Sequence, residues 1–121
     1  MDLEIVSRSR LALLEAGFSK AAHALHSAAL RTGIYLLSLE SNRYPKDADS
    51  GIVALCNAVD ELGGAERRLW DRALSRTFDV GCSLETKSRL VQVVLRPETL
   101  KRVIALRATV AFSCYQEVAA D

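Results

Sequence analysis

The chain reads as a single α+β domain over residues 1–121, with helices packed on one face of a sheet. Three observations lead there. Residues 77–84 alternate strictly from side to side, and residues 109–115 alternate again. A proline-led helical segment lies between them, and an amphipathic helix fills the middle of the chain. Period-two alternation marks a half-buried strand, whereas a 3.6-residue period marks a helix. The expected order is β-α-β-α-α-β-β-α-β. An all-α helical bundle is the alternative, because the first 45 residues are rich in Ala and Leu, which favour helix.

In the first segment, Ser9 to Glu15 reads as a strand. It leads into a helix capped by Ser19, with Ala22 and Leu25 facing inward. Gly33 to Ser41 reads as the second strand, followed by a polar linker from Asn42 to Asp49 that contains Pro45. A weak internal repeat favours this reading over two long helices. The run Arg10 to Leu25 and the run Arg89 to Val103 each begin Arg-Leu, continue apolar, and lead into a short helix.

Asp49 or Ser50 then caps a helix whose apolar positions are Ile52, Leu55, Cys56, Val59 and Leu62, all on one face. Gly63 and Gly64 supply a left-handed stop. A second short helix follows. Leu69, Trp70, Ala73 and Leu74 form its apolar stripe, and Arg67, Arg68, Asp71 and Arg72 its charged face.

Thr77 to Leu84 turns Phe78, Val80, Cys82 and Leu84 to one side. Ser83 to Ser88 suits a hairpin into Arg89 to Arg96, a β-branched segment apolar on both faces and hence a central strand. Pro97 opens the last helix, where its missing N–H had no partner to lose. Leu100, Val103 and Ile104 are its apolar stripe, and Thr109 to Tyr115 closes the sheet with Val110, Phe112 and Cys114 inward.

Three stretches of this order carry a family resemblance. Thr32 to Ser41 is a glycine-led strand, Phe78-Asp79-Val80-Gly81 is similar to a Phe-Asp-Ile-Gly strand, and Pro97 to Tyr115 is a closing helix and strand that ends in Ser-x-Tyr. In these the chain resembles a bacterial domain-of-unknown-function family (family 4279), over most of Leu11 to Tyr115. The chain departs from it at Tyr35, where that family usually has another aromatic, often Trp. The resemblance implies the layered fold and assigns no catalytic residue.

Composition narrows the function. Sixteen basic and fifteen acidic residues give a formal net charge of +1, without the basic excess of a general nucleic-acid binder, so nucleic acid is disfavoured as a partner. No apolar run reaches the roughly 18–20 residues that cross a bilayer. With no leader-like segment expected, the chain reads as cytoplasmic and free of the membrane. The three cysteines, Cys56, Cys82 and Cys114, form no C-x-x-C and read as buried small hydrophobes.

Few residues point to chemistry. His23 and His26, the only histidines, fall at i, i+3 on the first expected helix, but a zinc site needs a third ligand and none accompanies them. The run Ala22 to Gly33 also echoes histidine phosphotransfer domains, although His26 stands where a lysine is expected. Asp79 lies opposite the core side of its strand, where Arg89 or Arg96 could pair with it. No phosphate-cradling loop, G-x-S-x-G elbow or calcium loop occurs. Arg67, Arg68, Arg72 and Arg76 form a basic helix face, while Tyr35 and Tyr115 can anchor an interface.

The expected function is therefore a non-catalytic protein-binding module of toxin-neutralising (immunity) or regulatory type, with no cofactor and no metal. Its binding residues are Tyr35, Tyr115, Arg67, Arg68 and Arg72, and its partner is another protein such as a toxin. A homodimer is expected to cover the two-faced strand 89–96. The alternative is a phosphotransfer-like protein or small enzyme using His23 or His26.

Overall fold

Alternation begins earlier than the reading above placed it. Leu3, Ile5 and Ser7 are fully buried, while Asp2, Glu4 and Val6 turn the other way. In this computed structural model, which describes residues 1–84 and 92–116, that segment is the middle strand of the sheet. The described elements run β1 (Asp2–Ser7), α1 (Ala12–Gly17), β2 (Ala22–Arg31), β3 (Ile34–Ser41), α2 (Ala48–Asp60), α3 (Gly64–Arg72), β4 (Ser75–Leu84), α4 (Pro97–Ala105) and β5 (Thr109–Gln116).

The strands stand in the order β2-β3-β1-β4-β5. β1 is antiparallel to both neighbours, and β2 and β3 form an antiparallel hairpin that turns at Gly33 with φ 78°, a left-handed angle glycine adopts freely. β4 and β5 are parallel and need a crossover, which α4 supplies. Register places Leu3 between Leu39 and Phe78 and Ile5 between Leu37 and Arg76. Leu3, Ile5, Leu37, Leu39 and Phe78 join Leu14 of α1, Ile52, Leu55 and Val59 of α2, Trp70 of α3 and Val103 of α4 in one core. All four helices thus lie against one face of a five-stranded mixed sheet, and the fold is α+β.

Local chemistry fixes the helix ends. Asp47 caps α2 by accepting the Ser50 backbone N–H at 2.7 Å. Asp49 reaches out of α2 to accept the Arg96 backbone N–H at 2.9 Å, so it holds the start of α4. Trp70 meets Phe18 edge-on at 6.1 Å, lies 6.3 Å from Phe78, and donates its indole N–H to the Leu106 carbonyl at 3.2 Å. Beside it the buried Arg76 donates Nη1 to the carbonyls of Trp70 (2.7 Å) and Ala73 (3.0 Å), and Nε to the Arg107 carbonyl (3.1 Å). One guanidinium therefore ties the end of α3 to the α4–β5 turn, where Arg107 stands at φ 56°.

Several expectations change. The segment 9–15 is a turn and α1, not a strand, and the segment after Ser19 is β2, not a helix. Helix propensity in this Ala-rich run yields to sheet pairing with β3, a tertiary override of a weak local preference. The run 10–25 covers α1 and enters β2, whereas the described part of the second run, 92–103, is irregular before it enters α4. Residues 92–96 form no strand: the edge of β4 is taken by β5, and Val93 and Leu95 instead pack partly buried against the core. The expected hairpin loop beyond Leu84 and positions 85–91 lie outside the described residues. Gly63 is extended at φ −66° and precedes α3 instead of forming a left-handed stop. In α4 the inward side chains are Thr99 and Val103, with Leu106 just beyond, while Leu100 and Ile104 are exposed. Among the described residues no helix is long and apolar enough to cross a membrane.

Replacing Arg76 by Ala leaves three carbonyls without their donor, and should lower the unfolding free energy by about 2–4 kcal/mol. The check is a urea titration in which the midpoint falls while the slope stays constant.

Candidate binding surface

The sheet face opposite the helices carries a different chemistry. Register aligns His23 of β2, Glu40 of β3, Asp2 of β1 and Asp79 of β4 in one row across the strands. Glu4 lies in the next row, between Ser38 and Thr77, with His26 beyond Ser38. Three carboxylates thus stand side by side on adjacent strands, an arrangement that costs about 0.2–1 kcal/mol for each like-charged pair. The basic strand residue registered on this side is Arg31, at the far end of β2.

Each group has identifiable partners. Asp79 accepts a hydrogen bond from the Ser113 hydroxyl at 2.7 Å; the strand arginines expected beside it were Arg89 and Arg96. Of those, Arg96 gives its backbone N–H to Asp49, and Arg89 lies outside the described residues. His23 has Nδ1 2.8 Å from the Asn42 side-chain oxygen and Nε2 3.5 Å from Glu40. Burial raises the pKa of Asp2, opposed by the Met1 amino group and reinforced by Glu40 and Asp79. Asp47 is held below its ordinary pKa by the Ser50 backbone N–H it accepts and by the Ser50 side chain.

A cleft of about 410 Å³ opens at the end of the sheet where β1 begins. Asp2, Glu40, Asp47 and Asp79 line it, together with Tyr44 and Tyr115. Four carboxylates and two exposed phenol rings in one concavity suit a cation, since carboxylates accept charge-assisted hydrogen bonds and aromatic faces attract positive charge.

The residues expected to bind a partner do not form one surface. Tyr115 is 65% exposed on edge strand β5, lies on the open face by register, and lines the cleft. Tyr35 pairs with Ser7 on the opposite, helix-covered face, half-buried against the core. Arg67, Arg68 and Arg72 lie on α3, on the other side of the sheet from Tyr115. Arg67 is engaged with Asp71 at 3.2 Å and Asp60 at 3.8 Å. Arg76 leaves that basic group altogether, since it is buried under the helix end.

His23 and His26 occupy a strand, not a helix. Three residues apart they would point to opposite sides of a regular strand, but the bulge between Ala24 and His26 returns both to the open face. Among the described residues no group of three or more His, Cys, Asp and Glu side chains is placed to hold a metal ion. Sequence reasoning missed Asp2, Glu4 and Glu40. The signal for the first two was present, because they interleave with Leu3 and Ile5 at period two. Glu40 became significant only through its register with Asp2.

The raised pKa of Asp2 carries a signed consequence. With the folded value above the unfolded one, the ionised side chain destabilises the fold at neutral pH, and the penalty disappears as pH falls below the unfolded value. Asp2→Asn should therefore raise Tm at pH 7, with a gain that shrinks to nothing as the wild type becomes protonated; thermal melts across an acid series check both parts.

Compared with protein-family models, with curated proteins and with solved structures, the chain matches none.

Proposed function

We propose that this chain is a non-catalytic binding protein that receives a basic segment of a partner protein in the acidic cleft at the end of its sheet. The observation that carries the reading is the in-register row Glu40, Asp2 and Asp79, set in a cleft beside Tyr44 and Tyr115. Repulsion within that row is relieved when a lysine or arginine enters, so the free energy stored in the unbound sheet favours the complex. A partner of this chemistry is a protein with an arginine- or lysine-rich surface, and covering such a surface is one way to neutralise or regulate a toxin. The proposal places the protein in the cytoplasm.

The homodimer belongs to the same proposal, but its contact moves. Residues 92–96 no longer provide a two-faced strand. Edge strand β2 instead offers nine exposed positions in ten, with no acid, lysine or proline to block pairing by a second copy. The phosphotransfer alternative loses its helical setting, since both histidines stand on β2.

An arginine-rich peptide titrated calorimetrically into the protein should bind, and affinity should fall as salt rises. Asp79→Asn with Glu40→Gln should weaken binding about tenfold, or 1.4 kcal/mol. Equal affinity for the variant, or no binding at all, removes the reading. Sedimentation equilibrium tests the dimer separately, which a single-chain mass at every concentration would refute.

A further inference from the structure

The cysteines are not the three buried thiols that the sequence suggested. Cys56 and Cys82 are buried, and Cys114 is exposed on the edge strand. Cys82 of β4 and Cys114 of β5 are direct partners in the parallel register, flanked by the pair Val80 and Phe112. Adjacent strands lie about 4.8 Å apart, inside the span of roughly 4.4–6.8 Å between Cα atoms that a disulfide bridges. Residues paired in register point to the same side of the sheet, so the two side chains are neighbours across the strands. One thiol is therefore open to solvent, and its sheltered neighbour is in reach. That is the arrangement of an attacking and a resolving cysteine.

We propose that Cys82 and Cys114 form a peroxide-responsive dithiol that closes into a disulfide between β4 and β5. The Cys114 sulfur attacks the terminal oxygen of a hydroperoxide and the O–O bond breaks. The products are a sulfenic acid on Cys114 and an alcohol, or water where the oxidant is hydrogen peroxide. The Cys82 sulfur then attacks the sulfenic sulfur. The S–O bond breaks, the Cys82 proton leaves with the hydroxyl as water, and the S–S bond forms. Two thiols have lost two electrons and the hydroperoxide has gained them. A small thiol in excess reverses the change by exchange. Cys82 is buried and Cys114 exposed, so a hydroperoxide from solvent reaches Cys114 first. The bond staples the outermost strand to the sheet next to Tyr115, so it also fixes one wall of the acidic cleft. The dithiol does not depend on the partner proposed above.

The test uses the full chain and hydrogen peroxide near equimolar concentration, followed by quenching and denaturation. Free thiols should fall from three to one, and the intact mass should drop by two hydrogen atoms without added oxygen. Trypsin cuts after Arg76, Lys87 and Arg107, so a nonreducing digest should join the peptide that holds Cys82 to the peptide that holds Cys114. Cys114→Ser should abolish the bond. Cys82→Ala should leave a Cys114 sulfenic acid that dimedone traps. Oxidation of the urea-unfolded chain should also pair Cys56, which shows that register directs the native product. Three thiols remaining in the oxidised wild type, a sulfinic acid on Cys114, or bonds only between chains would each overturn the proposal.

Discussion

A buried guanidinium holds this fold together at its least local point. Arg76 enters from the central region of the sheet and gives its donors to backbone carbonyls at the end of α3 and in the turn after α4. Helix C-termini leave carbonyls without partners, and a buried one needs a donor. Trp70 reinforces the junction by filling space between α1 and β4 and by donating to the Leu106 carbonyl. Two helices that are distant in sequence are thereby fixed against the same sheet. The position of β5, and of everything β5 carries, follows from that junction.

The open face depends on this arrangement from the other side. With all four helices committed to one surface, the alternate side chains of β1, β3 and β4 are left to solvent, and they are acidic where they meet. Like charges on adjacent strands oppose folding, so their retention at the mouth of a cleft marks a place where the unbound protein is not at its electrostatic optimum. The exposed Tyr115 ring belongs to the same place through the pairing of β5 with β4.

Much of the fold was legible where pattern and environment agree. The alternation of 77–84 and 109–115, the amphipathic face of α2, and the proline at the start of α4 all report their structures directly. The sequence was misleading where local preference and pairing disagree. β2 is Ala-rich and almost wholly exposed, so neither burial nor β-propensity announces it; hydrogen bonding to β3 makes it a strand. Residues 92–96 misled in the opposite sense: they are apolar and β-branched but form no strand, and a parallel partner arriving after α4 took the edge of β4. The candidate site was the least legible part. Asp2, Glu40 and Asp79 are far apart in sequence, and only register sets them side by side.

The parentage of the central strand has a consequence in time. β1 is the first strand along the chain, yet one of its two neighbours is β4, and Leu3 reaches its full enclosure only when Phe78 arrives. Contacts so far apart in sequence close slowly. On a translating ribosome the antiparallel trio β2-β3-β1 can assemble early, with one flank of its middle strand still bare. The nascent polypeptide passes through an interval of stickiness whose length is set by the distance to β4, and chaperone dependence during synthesis should track that interval more closely than the stability of the finished molecule.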